Sequence, residues 1–422
     1  MSTTDVVAIT ETVEEFRARA RDWLPHNLDR RDRTSPEQDP HTAQEVARHR
    51  SIQRRLFDGG FAGITWPVEY GGQGLTAEHE RAFVEESAAF VTPNFGILSV
   101  TTFGSCVPTM LRHATPEFLL RHVPKVLKGE ELWCQFFSEP AAGSDLAGIQ
   151  TRATRRPDGS WVLDGSKIWS SLAHLADWGM CLTRSNWDVP KHKGLTWFGV
   201  PCTADGLTVR PIKQIGGGSE FCEEFLDAVV IDDGERIGQV DEGWSVTSTL
   251  LVFERGAGRP GATETPDLPG ELCPDLVALA LGCGLLGDAG VRRTLVGVHV
   301  EEYAAKQLKA RIATMSRLAK VDAGTAAYGK LALAGASVNR ARAALEIGGA
   351  DAVIWDPDVP GAGAVAHDFL ESKKPAIAGG TEQMQRNGIA ERVLGLPRER
   401  ATDVALPFSE VLKRARDWSA GS

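Results

Sequence analysis

Apolar side chains recur every three or four positions through the first third of the chain, which is the pattern of amphipathic helices. The first such run follows the polar Thr12 and stops before Pro25, so we predict a helix between these two residues. Similar patterns predict helices over residues 42–59 and 76–91, with more helix up to Lys128. The apolar positions of the first helix are Val13, Phe16, Ala20, Trp23 and Leu24.

The pattern changes over residues 132–237. Valine, tryptophan and hydroxyl-bearing residues form short runs here, separated by glycine-containing turns, as is typical of strands. The turn Pro157-Asp158-Gly159 precedes one such run at Ser160–Gly165, and another run covers Glu224–Ile231. A β domain is therefore expected in the middle of the chain.

From Gly243 onward, alanine, leucine and arginine dominate, and the apolar residues of Val300–Ala344 return to helical spacing. The order of helices, strands and helices indicates an α+β protein with domains over residues 1–131, 132–237 and 238–422. The segment Gly282–Gly287 matches a glycine pattern of dinucleotide-binding loops, but it stands in helical sequence without a preceding strand. This context argues against an NAD site.

Composition narrows the class of protein. The 422 residues include 46 basic and 56 acidic side chains, a net charge of −10, so nucleic acid is not an expected partner. Seven scattered cysteines without a C-x-x-C pair favour a reducing cytoplasm, and the histidine spacing predicts no metal site. The N-terminus lacks a signal-peptide pattern and the apolar run Leu276–Leu286 is too short for a bilayer, so we expect no membrane association.

Two segments carry the strongest chemical signal. Ser138-Glu-Pro-Ala-Ala-Gly-Ser-Asp145 combines small residues with hydroxyls, and Gly165-Ser-Lys-Ile-Trp169-Ser-Ser171 adds an aromatic plate. Small residues let backbone amides approach a flat ligand, the hydroxyls of Ser138 and Ser171 suit its polar edge, and Trp169 suits one of its faces. Together they predict a site for a flavin ring.

The two segments, with the turn and strand between them, resemble the middle domain of the acyl-CoA dehydrogenase family. The resemblance extends over nearly the whole chain. It implies an N-terminal helical domain, a middle β-barrel domain and a C-terminal four-helix bundle. It also implies FAD as cofactor, α,β-desaturation of an acyl-CoA thioester, and electron-transfer flavoprotein as electron acceptor.

The catalytic base departs from the common pattern of the family. Many members carry a glutamate in a Tyr-Glu-Gly-Thr segment, where this chain has Gly379-Gly-Thr381. Another subset places the base earlier, in a segment like Leu251-Val-Phe-Glu254-Arg255, which makes Glu254 the candidate base and Arg255 a candidate substrate contact. The Gly379 N–H would still donate to the thioester oxygen, a contribution of about 3 kcal/mol for one preorganised donor.

The resemblance also implies the flavin contacts. Phe137 and Ser138 would lie along the ring system, Trp169 would pack near it, and Ser171 would bond near N5. Ser144 would contact the cofactor or the pantetheine arm of the substrate. Thr381 and Gln383 match positions that touch the dinucleotide end.

The sequence leaves more than one possibility for the assembly and for the activity. Many members bind a neighbour's FAD with an Arg-x-x-Phe-Gly segment, which has no counterpart here. Two assemblies remain open: a heterotetramer, in which a related chain supplies that contact, and a homotetramer. A heteromeric subclass of the family degrades steroid side chains, which suggests a bulky, branched or steroid-derived acyl group. The alternative functions are a non-catalytic or half-site subunit and a flavin-dependent monooxygenase on the same fold.

Overall fold

A computed structural model describes residues 11–32, 39–254, 272–318, 320, 324–355, 363–399, 401 and 403–420. The chain forms two compact units. Unit 1 comprises Met1–Lys213, Ser219–Gly261 and Ala401–Ser422, and unit 2 comprises Gln214–Gly218 and Ala262–Arg400.

The helices expected at the start of unit 1 are present with shifted ends. Helix α1 continues past Pro25, contrary to our prediction: a proline in the last turn removes one backbone donor, and Leu28 N still donates to Leu24 O at 2.9 Å. Helix α3 ends before Val91 because Val91 N donates to Asp29 O instead. The helices are α1 Val13–Asn27, α2 Ala43–Asp58, α3 Ala77–Ser87, α4 Ile97–Thr101, α5 Val107–His113 and α6 Pro116–Leu127.

The predicted strands of unit 1 join one eight-stranded sheet. Its order is β6-β7-β3-β2-β4-β5-β8, with β1 paired in parallel to β4. An apolar core made mainly of strand residues, among them Phe136, Leu163 and Phe198, lies within it. The strands are β1 Trp133–Phe136, β2 Arg152–Arg155, β3 Trp161–Ser171, β4 Trp178–Arg184, β5 Leu195–Pro201, β6 Leu207–Pro211, β7 Phe221–Ile231 and β8 Arg236–Ile237.

Two later helices also belong to unit 1, α7 (Gly243–Glu254) and α14 (Phe408–Ala420). The indole N–H of Trp197 on β5 donates to Gly243 O at 3.0 Å, which ties the start of α7 to the sheet. Phe408 is buried and lies under the guanidinium of Arg184, which is 3.8 Å from its ring centre. Both helices are therefore fixed to the β sheet.

Unit 2 is helical in its described part. Helix α10 packs along α9 and also contacts α8, α11, α12 and α13. The segment Gly282–Gly287 begins at the last residue of α8, so it has the helical context expected from the sequence. Among the described residues, no helix is both long and apolar enough to cross a membrane. The helices are α8 Pro274–Gly282, α9 Ala289–Arg317, α10 Thr325–Gly348, α11 Ala364–Glu371, α12 Lys374–Ile377 and α13 Glu382–Arg392.

Candidate functional site

The end of β3 presents Trp169 outward. The pairing of β3 with β7 shifts between Ile168 and Ser170, so Trp169 is an extra residue in a bulge. Its φ of 68° lies in the left-handed region, where bulky residues are strained, and its side chain is 55% exposed. The indole and the Phe221 ring form a T-shaped pair, with 6.0 Å between the ring centres. Strain of this kind concentrates at ligand sites, and the exposed indole is accessible to a ligand here.

The segment of Ser138 is bound to the same strand. Ile168 N donates to Ser138 O at 2.9 Å, and Lys167 Nζ donates to Phe137 O at 3.1 Å. Phe137 packs its ring edge-on against Trp197 at 4.9 Å. The two sequence motifs therefore meet: Phe137 and Ser138 lie beside the strand end that carries Trp169 and Ser171.

A buried ion pair lies beneath this junction. Lys167 is fully buried, and its Nζ lies 2.9 Å from Glu139 Oε1. Burial alone would raise the pKa of Glu139, but the Lys167 charge and hydrogen bonds from Thr151 and Gln150 outweigh it and lower that pKa. Glu139 is thus a carboxylate, and it anchors the loop between β1 and β2 to β3.

Ser144 lies on the exposed part of the loop between β1 and β2. The adjacent Asp145 forms an ion pair at 3.0 Å with Lys191, which also pairs with Asp403 at 3.1 Å. Ser144 is accessible to a ligand, at the position where the resemblance implies a cofactor or pantetheine contact.

Glu254 is the last residue of α7 and is half-buried. Its carboxylate lies close enough to Cys106 to act on that thiol: burial first, and then the Glu254 charge, raise the pKa of Cys106. Cys106 ends a π-helical turn, Thr102–Cys106, inserted between α4 and α5. Such turns are frequent at functional sites.

The neighbours of Glu254 are fixed by contacts within unit 1. His113 Nε2 lies 2.8 Å from Thr249 Oγ1, and the Arg112 guanidinium stacks on the Phe253 ring at 4.8 Å. These contacts join α5 to the last turns of α7. The position of Glu254 is therefore set by the helix that follows the π-helical turn.

The π-helical turn is bound to β1 by side chains. Gln135 Nε2 donates to Ser105 Oγ at 3.0 Å, and the Cys106 thiol donates to Cys134 O at 3.7 Å. Thr102 Oγ1 accepts from Trp133 N at 2.8 Å. The polar groups of Gln135, Ser105 and Cys106 thus lie in the neighbourhood of Glu254.

The remaining predicted residues lie in unit 2. Gly379 and Gly380 adopt φ of 65° and 94°, conformations that favour glycine, and their carbonyls accept from Gln385 Nε2 at 3.3 and 3.2 Å. Thr381 caps α13, since its Oγ1 accepts from Met384 N at 3.2 Å. Gln383 is exposed on the first turn of α13.

Arg255 lies outside the described residues. Sequence reasoning had passed over the buried charges Glu139 and Lys167, although both stand inside the quoted motifs. The alternation of residues along a strand could have indicated the burial of Lys167, because it puts Lys167 on the same inward face of β3 as Leu163. A lysine at an inward position is buried only when paired.

Comparison with known proteins identifies the family. The models of the acyl-CoA dehydrogenase N-terminal, middle and C-terminal domains match residues 10–130, 134–229 and 276–394. The chain belongs to the acyl-CoA dehydrogenase family. The predicted fold class and the prediction of an oxidoreductase are thereby confirmed.

Similar proteins include two acyl-CoA dehydrogenases of Mycobacterium tuberculosis and one solved structure. Acyl-CoA dehydrogenase FadE34 of Mycobacterium tuberculosis is 36% identical over 371 residues, which are 82% of this chain and 46% of FadE34, so the chain spans about half of that protein. Acyl-CoA dehydrogenase IpdE1 of the same organism is 35% identical over 92% of this chain and 99% of its own. The solved structure entitled Tcur3481-Tcur3483 steroid ACAD has a TM-score of 0.70 and 28% identity, covering 94% of this chain and 100% of that one.

The residues of unit 1 suit the flavin that this family uses. A flat ring system needs an open aromatic face, hydroxyls at its polar edge and a close approach of backbone. Trp169 offers an exposed indole, held outward by its bulge, and Ser138 and Ser171 offer hydroxyls on adjoining segments. The donor set therefore fits FAD.

Proposed function

We propose that this acyl-CoA dehydrogenase converts a saturated acyl-CoA into its 2,3-enoyl product with FAD as cofactor and Glu254 as general base. The observation that carries the proposal is the placement of Glu254 in unit 1, half-buried at the end of α7. The same unit joins Phe137 and Ser138 to the strand end with Trp169. At the position where many members carry their base, the chain has Gly379 instead.

The base must take a weakly acidic proton. The Glu254 carboxylate would accept the proton on the carbon next to the thioester, leaving an enolate-like charge on the thioester oxygen. The Gly379 N–H would donate to that oxygen and stabilise the developing charge by about 3 kcal/mol. FAD, when bound, supplies the hydride acceptor at its N5 atom for the hydrogen that leaves the neighbouring carbon.

The proposed cofactor contacts are those that the family resemblance implies. Phe137, Ser138, Trp169 and Ser171 would contact the ring system, and Thr381 and Gln383 would contact the dinucleotide end. Ser144 would serve the cofactor or the pantetheine arm, and Arg255 would contact the substrate. The exposed indole of Trp169 supports the proposed contacts with the ring system. The hydrogen bonds from Gln385 to the carbonyls of Gly379 and Gly380 fix the loop before α13, which supports the proposed contacts with the dinucleotide end.

The names of the relatives guide the substrate and assembly proposals. One chain of the solved structure entitled Tcur3481-Tcur3483 steroid ACAD is 28% identical to this chain. We therefore favour a bulky, branched or steroid-derived acyl group and a tetramer with a related chain. The family resemblance supports electron-transfer flavoprotein as acceptor, and the scattered cysteines support a cytoplasmic location.

The decisive test is Glu254→Gln, which keeps the shape of the side chain and removes its basicity. The variant should retain FAD and bind acyl-CoA, yet bleach the flavin about 10²- to 10⁴-fold more slowly under anaerobic conditions. Glu242→Gln is the matched control, because Glu242 is an exposed acid just before the same helix. Bleaching of Glu254→Gln at the control's rate would reject Glu254 as the base.

The assembly needs a separate experiment. The chain purified alone and the chain co-expressed with a related dehydrogenase chain from its own genome are compared by native mass and by bound FAD per chain. A heterotetramer predicts that FAD is retained only in the co-expressed complex. Full FAD occupancy of a tetramer formed by this chain alone would establish the homotetramer instead.

A further inference from the structure

Glu224 is a carboxyl group inside the apolar core of the β sheet. It has no exposed surface. Its Oε2 accepts a hydrogen bond from Ser170 Oγ at 2.8 Å, whereas its Oε1 is buried and has no hydrogen-bond partner among the described residues. An ionised carboxylate is strongly disfavoured in such surroundings unless an opposite charge compensates it.

The nearby positive charge is already compensated. Lys167 stands opposite Glu224 in the pairing of β3 and β7, but its Nζ is bound to Glu139 Oε1 at 2.9 Å and to Phe137 O at 3.1 Å. The Lys167–Glu139 pair is neutral as a whole. Ionising Glu224 would therefore leave one uncompensated negative charge in the core.

The other titratable neighbours add no positive charge. The thiols of Cys134, Cys181 and Cys222 are buried and lie within electrostatic range of Glu224. Burial raises the pKa of each thiol, so the three thiols stay neutral. The half-buried Glu223 precedes it on the same strand and opposes its ionisation further. The groups that face Glu224 are thus Lys167 and Ser170 on β3, Cys134 on β1, Cys181 on β4, and Cys222 and Glu223 on β7.

Ser170 links this buried carboxyl to the candidate flavin site. It lies between Trp169 and Ser171, directly after the bulge, and its side chain is buried while the indole of Trp169 is exposed. The hydrogen bond to Glu224 holds Ser170 inward. Because adjacent residues of a strand point to opposite faces, holding Ser170 inward keeps its two neighbours on the outer side.

We propose that Glu224 is kept as a neutral carboxylic acid and positions, through Ser170, the strand end that presents Trp169 and Ser171 to FAD. The positioning role rests on the proposed FAD site, whereas the protonation state does not. Burial raises the pKa of Glu224 to about 7, even though the Ser170 hydrogen bond and the Lys167 charge lower it, which agrees with the charge count.

The protonation state is tested without cofactor, by urea unfolding of wild type and Glu224→Gln between about pH 5 and pH 9. A carboxyl whose pKa is raised in the fold stabilises the fold fully at low pH and loses this contribution as the pH rises to the folded pKa. Relative to Glu224→Gln, the unfolding constant of wild type should rise about tenfold per pH unit up to about pH 7 and then level off. Glu223→Gln, on the same strand, should keep the wild-type slope and level off at a slightly lower pH, because Glu223 opposes the ionisation of Glu224.

Parallel pH profiles of wild type and Glu224→Gln would overturn the proposal, since they would mean that the Glu224 carboxyl is ionised in the fold throughout. A profile of opposite slope would overturn it as well. Glu224→Gln retains an acceptor for Ser170 and the neutral charge, so the comparison does not depend on a disrupted core.

The positioning role is tested by the affinity of the apoprotein for FAD, in the homomeric or co-expressed assembly that retains FAD, followed through flavin fluorescence. Wild type should bind FAD more weakly above about pH 7, Glu224→Gln should lose this pH dependence, and Ser170→Ala should bind about tenfold more weakly at every pH, the effect of one hydrogen bond. An equal pH dependence in wild type and Glu224→Gln would reject the positioning role. If wild type bound no FAD either alone or in the complex with a related chain, the proposed function would fail, while the unfolding experiment would still decide the state of Glu224.

Discussion

Lys167 Nζ lies 2.9 Å from Glu139 Oε1, and this buried pair fastens the loop of Ser138 to the strand of Trp169. Lys167 has no exposed surface and Glu139 is 8% exposed. Breaking a buried pair by removing one partner leaves an uncompensated charge, which costs about 3–5 kcal/mol. The pair therefore stabilises the fold and aligns both segments of the candidate flavin site.

We predict that Lys167→Met lowers the free energy of unfolding by about 3–5 kcal/mol, because Glu139 loses its counter-charge. Urea unfolding measures the change. The double variant Lys167→Met with Glu139→Gln should recover part of the loss, since no charge is then left unpaired. If the two single losses simply added in the double variant, the pair would not be coupled as its geometry indicates.

A second buried charge cluster predicts a pH dependence. His122 Nδ1 lies 2.8 Å from Glu131 Oε2, and its Nε2 lies 2.9 Å from Glu235 Oε2. Burial favours the neutral ring, but the hydrogen bonds to the two carboxylates outweigh it and raise the pKa of His122. The charged imidazolium thus joins α6 to the segments before β1 and β8.

Because the pKa of His122 is higher in the fold than in the unfolded chain, its stabilisation is complete below about pH 6.5 and is lost as the pH rises through the folded value. We predict that His122→Gln destabilises the protein more at about pH 6 than at about pH 9. Thermal unfolding at both pH values measures this, with the exposed His26→Gln as control. A destabilisation of the same size at both pH values would contradict the charged state.

The sequence predicted the helices and strands, because these follow from the spacing of apolar residues and from the turn residues between them. Helix α2 begins after Thr42 and ends at Gly59 as expected, because a side-chain cap and a glycine mark its ends. Buried charges such as Glu224 were missed, since Cys222-Glu-Glu-Phe225 places two acids side by side and does not show which of them is inward. Register decides that face, and the bulge at Trp169 shifts the register of the partner strand.

The exposed indole of Trp169 gives a prediction that separates binding from folding. Trp169→Ala should change the thermal stability of the apoprotein little, because the side chain is 55% exposed, while FAD affinity falls about tenfold or more with the lost stacking face. Trp169→Phe retains an aromatic face and should lose less affinity. An unchanged FAD affinity of Trp169→Ala, measured by flavin fluorescence, would remove Trp169 from the site.

The proposed position of the base at Glu254 can be tested by moving the carboxylate to position 379. Glu254→Gln should be nearly inactive, and adding Gly379→Glu should restore part of the flavin reduction by acyl-CoA, since family members carry a base at either position. The regain should be incomplete, because the φ of 65° at Gly379 costs a side chain about 1–2 kcal/mol. Gly379→Gln in the same background is the control, as it brings equal strain without a base. If the glutamate and glutamine variants were equally inactive, the two positions would not serve one substrate carbon.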